Sequence, residues 1–364
     1  MSAVDTLNVA TRDYIDRNAK VLVDGVFQAS KLAQMLREKA RKYPGGTQIT
    51  EMLVYAGSGG GSHKKGKRYV NSERQTDQRL QFDPKFMQVP VVLDQIDIRV
   101  INQGPFKVYD ILESKLSNAY LTLGAYMEIA LYLPGTTHAS FSSNVDGFAQ
   151  ICSPGVTTNS WDGAVYPTYG ELSRTDGNPW NAAVKGRTQL VGGAITYETL
   201  ESSYTSVQYG GIEPKLGQTT PKCVSFIKNK FQTQQRFNEV QEPKIGFTGL
   251  KFNRAIIVDS RYCPGSENSA LTDPMSTDYA VFTSEDDTTP VTQYPVVTGE
   301  TLFWLNTDDA YLHLYISSDK IWGMGFSDFI PSAESDMLVG RVRLCWALTA
   351  PGPRYHAQLT QITS

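Results

Sequence analysis

The stretch from Gly104 to Gly135, GPFKVYDILESKLSNAYLTLGAYMEIALYLPG, constrains the fold more than any other part of the chain. Pro105 sits where a first-turn proline is tolerated, and Pro134-Gly135 cannot continue a helix. Between them Val108, Ile111, Leu112, Leu116, Ala119, Leu123, Met127, Ala130 and Leu131 recur at three- and four-residue spacing, the period of one helical face. At about 1.5 Å per residue the spacing predicts a rod of roughly 40 Å. Its other face is polar early (Asp110, Glu113, Ser114, Ser117) and apolar later (Leu121, Ala125, Ile129). Such a helix lies across a sheet and then enters a core. The run Ala119 to Leu133 is too short for a membrane span and carries Glu128, so the expectation is a spine helix of a soluble protein.

A chain of 364 residues can bury a sizeable core and hold two or three sub-domains. Its 19 tyrosines, 30 glycines and 18 prolines lean towards sheet and elaborate turns. A net charge of −3 argues against a general nucleic-acid binder, so any such contact falls to local patches. Cys152, Cys223, Cys263 and Cys345 form no CxxC pair, and Cys345 lies in an apolar strand pattern where a free buried thiol is expected. No apolar signal segment opens the chain and no Asn-x-Ser/Thr sequon occurs, which fits synthesis in a reducing, intracellular place.

Upstream, Ser30 is placed to cap a helix running to Tyr43, with Leu32, Met35, Leu36, Ala40 and Tyr43 on one face. Lys31, Arg37, Lys39, Arg41 and Lys42 occupy the other, against a single Glu38, and Pro44-Gly45-Gly46 stops it. One short amphipathic helix cannot bury its stripe alone, so it must dock on its own body or on a neighbour. Thr47 to Ala56 reads as a strand. It leads into GSGGGSHKKGKRYVNSERQTDQRLQFD, polar and without hydrophobic period, with Lys64, Lys65, Lys67 and Arg68 near its tip. After Pro90, VVLDQIDIRVI returns as a strand, with Ile96, Ile98 and Val100 alternating against Asp97 and Arg99. The three pieces together predict an extended β-hairpin arm that exists to touch another molecule.

Beyond the spine the chain is loop-rich to about Lys185. Ile195 to Val207 predicts a second helix closed by Gly210-Gly211, and Lys222–Ile227 and Ala255–Val258 predict buried strands. Ser266 to Gly299 is turn-rich and acidic. Tyr311–Ile316 is a short strand, Leu338–Leu348 alternates strongly, and Tyr355–Ile362 is expected to pair with it.

The chemistry-bearing motifs are weak. Gly61 to Lys67 matches GxxxxGK after a strand, and Ala255-Ile-Ile-Val-Asp259 imitates the apolar strand whose aspartate holds magnesium. Against a phosphate-binding loop, position eight is Arg68 in place of a hydroxyl, no amphipathic helix follows, and most of the chain separates the halves. A solvated basic loop explains the same residues. His63, His138, His313 and His356 show no metal-ligand spacing, Asp286-Asp287 and Asp308-Asp309 read as solvated surface, and no GxSxG elbow occurs. No catalytic residue, metal site or cofactor is therefore expected.

Taken together, a basic arm, a long hairpin loop, a spine helix, an α/β region and a late returning strand resemble the major capsid proteins of tailed bacteriophages, the Hong Kong 97-type fold. VDGVFQASKLAQMLREKARKYPGGTQI (Val23 to Ile49) is similar to that family's junction of N-terminal arm and extended loop. Tyr169-Gly170-Glu171-Leu172-Ser173-Arg174, followed by Asn178-Pro179-Trp180, is similar to its Tyr-Gly-Gly-Ile-x-Arg…Pro-Trp stretch, with Glu171-Leu172 in place of Gly-Ile. AIIVDSRYCP (Ala255 to Pro264) resembles its apolar strand ending in Asp.

The resemblance implies an α+β fold with an N-terminal arm (1–45), an extended loop (46–95), a peripheral domain with the spine helix (96–140 and 311–364) and an axial domain (141–310). It implies a non-enzymatic shell protein whose copies form hexamers and pentamers of an icosahedral capsid around double-stranded DNA, made in the host cytoplasm and residing in the virion. Leu32, Met35 and Leu36 of the arm and Lys64, Lys65, Lys67 and Arg68 of the loop are then expected at subunit interfaces. Leu112, Leu116, Leu123 and Met127 are expected in the spine-helix core. Implied partners are further copies, portal and scaffolding proteins, a decoration protein and packaged DNA held non-specifically, with no membrane. Without a helical pro-segment ahead of Met1, scaffolding is expected from a separate protein. No asparagine partner is identifiable, so the loop lysines receive no cross-linking role. The rival readings are a P-loop enzyme using Gly61–Lys67 and a β-rich carbohydrate-binding or adhesin module.

Overall fold

The computed structural model describes residues 8–9, 11–15, 31–43, 45–67, 74–96, 105–138, 141–156, 162–231, 239–241, 248–266, 282–283, 290–291, 299–308, 310–321, 323–332 and 335–363. In chain order, α1 (Lys31–Glu38) leads to β1 (Arg41–Tyr43), β2 (Ile49–Val54), β3 (Asp77–Phe82) and β4 (Lys85–Asp94). The spine α2 (Pro105–Tyr132) is followed by α3 (Phe148–Ile151), β5 (Thr168–Tyr169), β6 (Leu172–Ser173) and α4 (Asn181–Val184). Next come β7 (Arg187–Ala194), α5 (Tyr197–Ser206), β8 (Leu216–Thr219) and α6 (Pro221–Phe231). Strands β9 (Glu239–Gln241), β10 (Thr248–Phe252), β11 (Ala255–Asp259), β12 (Phe282–Thr283), β13 (Pro290–Val291) and β14 (Glu300–Leu305) continue the chain. It ends in β15 (His313–Ser317), β16 (Gly323–Pro331), β17 (Met337–Thr349) and β18 (Ala357–Thr363).

Two sheets carry the fold. The first has β17 at its centre, paired antiparallel with β4 along one edge and with β15 and β16 along the other, and β1 adds in parallel to β15. The second runs β7-β18-β14-β8-β11-β10-β9. The alternation read in Leu338–Leu348 is the pleat of β17: Leu338, Val342, Leu344, Trp346 and Leu348 are buried, while Arg341 is exposed. The spine packs across β4 and β17, with Leu112, Leu116, Leu123 and Met127 all in the core that these strands line. Its C-terminal half is buried nearly all round, and Tyr132 packs on Phe148 and Phe303. Glu128, buried there, accepts a 2.5 Å hydrogen bond from Ser260 just after β11, so the spine is tied to the second sheet. A second core lies on the far face of that sheet, where Trp304 meets Tyr204 and Phe252 under α5.

Truncating a fully buried leucine typically costs ~2–5 kcal/mol. Leu123→Ala should therefore lower the melting temperature of unassembled subunits sharply. Glu113, exposed and accepting one 3.2 Å bond from Tyr14, should cost about 1 kcal/mol or less as Glu113→Ala. Thermal melts of the two variants, read side by side, check this.

Several expectations are corrected. The first helix stops at Glu38 instead of Tyr43, because Arg41–Tyr43 is taken up as a strand by β15; Ser30 lies outside the described residues. Lys222–Ile227 is helical, not a strand. Thr220 Oγ1 accepts from the Cys223 amide at 3.2 Å and Pro221 follows it, a capped start with proline in the first turn. Cys223 and Ile227, four apart, share its buried face. The strand after Pro90 ends at Asp94, whose carboxylate accepts from the Ile96 amide at 2.8 Å and turns the chain. Ile96 is consequently 53% exposed and does not line the sheet; Ile98 and Val100 lie outside the described residues. The inward residues are Val89, Val91 and Leu93. Finally, β18 pairs with β14 and β7, not with β17, so 357–363 belongs to the second sheet and not beside the spine.

Candidate functional site

The element that leaves the body is the hairpin β2–β3. Its register runs from Ile49↔Phe82 to Val54↔Asp77, so its returning strand is Asp77–Phe82 and not the segment after Pro90. In that strand only Leu80 and Phe82 are apolar and inward, too short a period to stand out from the polar sequence around it. The tip, 57–67, is exposed and holds Lys64, Lys65 and Lys67; Arg68 lies outside the described residues. On the outward face of β2, Met52 and Val54 are 61% and 58% exposed.

The inward face is seated on the same chain. Ile49, Leu53, Leu80 and Phe82 are buried in the main core. Phe82 stacks edge-on against Tyr169 at 5.2 Å, and the Gln81 amide donates to the Gly170 carbonyl at 3.1 Å. Gly170 and Glu171, with φ of 54° and 65°, form the two-residue turn of the β5–β6 hairpin, which resolves the Glu-Leu departure. A Cβ on Gly170 would stand 2.9 Å from a Leu80 methyl, so the close approach needs glycine.

Beneath that turn lies Arg174, fully buried. Its guanidinium donates to the carbonyls of Val184 (2.9 Å) and Gln150 (2.8 Å), reaches those of Tyr166 (3.4 Å) and Ile151 (3.5 Å), and sits 4.9 Å from the Tyr169 ring. Burial pulls its pKa down to about 10, opposed by Tyr169 and Asp146, and it stays a cation at neutral pH. The Tyr169 hydroxyl accepts from the Ala350 amide at 2.9 Å, tying this hairpin to the end of β17.

A second buried charge, Glu51, occupies an inward position of β2 between Ile49 and Leu53. Its Oε1 lies 2.8 Å from His313 Nδ1 and accepts from Tyr315 (2.6 Å) and Thr349 (3.3 Å). Sequence reading passed over Glu51 and named Arg174 only as part of the Tyr169–Arg174 stretch, without a role. Glu51 was visible as an acid in the inward phase of a strand, and Arg174 as the cation of an aromatic-flanked stretch.

The arm residues, expected at a subunit interface, pack into their own chain. Leu32 and Leu36 are 0% and 3% exposed in the chain's own core, and half-buried Met35 packs against it. Lys39 donates to the Thr307 carbonyl at 2.8 Å. Further upstream Asn8 exchanges two hydrogen bonds with the Phe329 backbone and Arg12 pairs with Asp328, which ties these residues to β16. The stripe is part of a core because β1 carries the helix onto β15.

The geometry is not that of a nucleotide site. Among the described residues the glycine-rich loop leads into β3, a strand, where a phosphate-binding loop needs a helix, and β2 and β11 stand in different sheets. Among the described residues no group of three or more His, Cys, Asp or Glu could hold a metal ion, and no helix is long and apolar enough to cross a membrane.

No protein-family model and no curated protein matches the chain in sequence. Its fold is similar to that of the cyanophage A-1(L) capsid, at 11% identity and a TM-score of 0.62 over 92% of this chain and 93% of that one. It is also similar to the capsids of empty and native GTA particles, at 9% and 8% identity, each with a TM-score of 0.53 over 90% of both chains. With its spine helix across one sheet, its second sheet and its projecting hairpin, the chain has the Hong Kong 97-type capsid fold, that of the major capsid proteins of tailed bacteriophages.

Proposed function

We propose that the protein is the major capsid protein of a tailed bacteriophage, whose copies assemble into hexamers and pentamers of an icosahedral shell around double-stranded DNA. The observation that carries this is the fold likeness to the cyanophage capsid across nine-tenths of both chains. The hairpin supports it: an exposed basic tip and an apolar outward face are what a contact between copies needs. On this reading Lys64, Lys65, Lys67 and Arg68 lie at subunit interfaces, and the role is structural and not catalytic. Portal and scaffolding proteins, and a decoration protein, are the further partners, DNA is held non-specifically, and the mature location is the virion.

Size-exclusion chromatography with negative-stain imaging of purified protein tests it. Rings or megadalton shells are the expected result, and a small defined oligomer overturns the reading. The hairpin gives a sharper prediction. Replacing Ser58–Arg68 by a two-residue turn should leave a folded, soluble subunit, since described residues 58–67 are exposed, but one that makes no stable shells. Lys67→Ala should leave folding unchanged; ATP hydrolysis abolished by that substitution would favour the P-loop enzyme instead.

A further inference from the structure

The hairpin is joined to the body by two short connections and carries one buried carboxylate onto it. On one side Gly45 and Gly46 adopt φ of 96° and 108° with no side chain pressing on them. On the other, Asp83-Pro84 separates β3 from β4 without regular structure. Between these points, Glu51 is a carboxylate of the hairpin that meets the body in a buried place. All three of its donors come from the first sheet: His313 and Tyr315 on β15, Thr349 on β17. Among the described residues, Arg41 on β1 and Tyr169 on β5 also lie within electrostatic reach.

We propose that Glu51 is a charge latch that seats the hairpin on its own subunit, and that protonating it lets the hairpin open locally while both sheets stay folded. An ionised carboxylate oxygen accepts all three donors at once, whereas a neutral carboxyl accepts them weakly and brings a proton into a space already filled by donors. The apolar seat under Leu53, Leu80 and Phe82, with the Gln81 amide on the Gly170 carbonyl and Gln48 on Glu171, then holds the hairpin. Burial works against the charge on Glu51, but His313 and Tyr315 hydrogen bonds, with the attraction of His313 and Arg41, hold its carboxyl below the ordinary value of 4.5. A depressed carboxyl stabilises the seat fully above that ordinary value, and the contribution is lost as pH falls through the lower folded one. The latch concerns contacts within one chain and is independent of whether copies assemble.

Hydrogen exchange of full-length, unassembled subunits, corrected for intrinsic rates at each pH, tests it. Acidification from neutral pH through the carboxylate range should speed exchange of amides in 49–54 and 77–82 by roughly ten- to a hundredfold. Amides of β14 should stay protected. Glu51→Gln should show the faster hairpin exchange already at neutral pH, with no further rise on acidification. Tyr315→Phe, which keeps the ring and removes one donor, should move the midpoint of opening to higher pH. If Glu51→Gln does not fold, Tyr315→Phe decides alone, and an unmoved midpoint overturns the latch. A pH dependence that survives in Glu51→Gln overturns it as well.

Discussion

A chain lacking residues 1–44 is expected not to fold. The deletion removes Leu32, Ala33 and Leu36, each less than 4% exposed, and Tyr14 at 5%. It also strips β1 from the parallel pairing Arg41↔Tyr315 to Tyr43↔Ser317, leaving the β15 edge open. Two buried leucines alone account for roughly 4–10 kcal/mol, comparable to the whole stability of an ordinary domain, about 5–15 kcal/mol. Circular dichroism of the truncated protein should show loss of the folded signal or an early, broad melt. Read from the sequence, the same segment is a polar lead with one small stripe, and its removal would spare the body. A cooperative melt near that of the full chain would restore that view.

Arg174→Leu should be nearly as severe. The substitution is apolar and much shorter, and it leaves the carbonyls of Gln150 and Val184 without the donor they were folded around, in a place water does not reach. Each buried carbonyl left without a donor costs roughly 1–3 kcal/mol. Arg174→Lys should recover little, because one ammonium cannot reach several carbonyls in the plane of a guanidinium or lie flat near the Tyr169 ring. The pocket is cut to Arg174: Gly155, at φ 92°, faces it, and a Cβ there would stand 2.6 Å from the arginine stem. Denaturant unfolding of the three proteins measures the order wild type, then lysine, then leucine.

The spine was readable because twenty-eight helical residues repeat one physical pattern, a stripe every three or four positions, and that pattern is local. The pleat of β17 was readable for the same reason. Short elements were not: β3 offers two inward apolar residues, and α6 hides its start in a Thr-Pro pair that a run of apolar residues overshadows. Of the residues proposed for subunit contacts, the sequence marked the lysines of the tip by charge alone, and the structure leaves Lys64, Lys65 and Lys67 exposed.

By itself, then, the sequence determined which segments are helix or strand wherever periodicity persists, which face of each is apolar, and that the long polar loop has no core of its own. Tertiary structure decided what those faces meet. Alternation specifies that β18 has a buried side but not that it lies between β7 and β14. A stripe of Leu32 and Leu36 demands a partner without saying whether it is this chain or another copy. Glu51 and Arg174 are ordinary charges in a string of letters, and only when residues from β15, β17 and the loops around α3 and α4 close over them do they become the buried groups on which the hairpin and its seat depend.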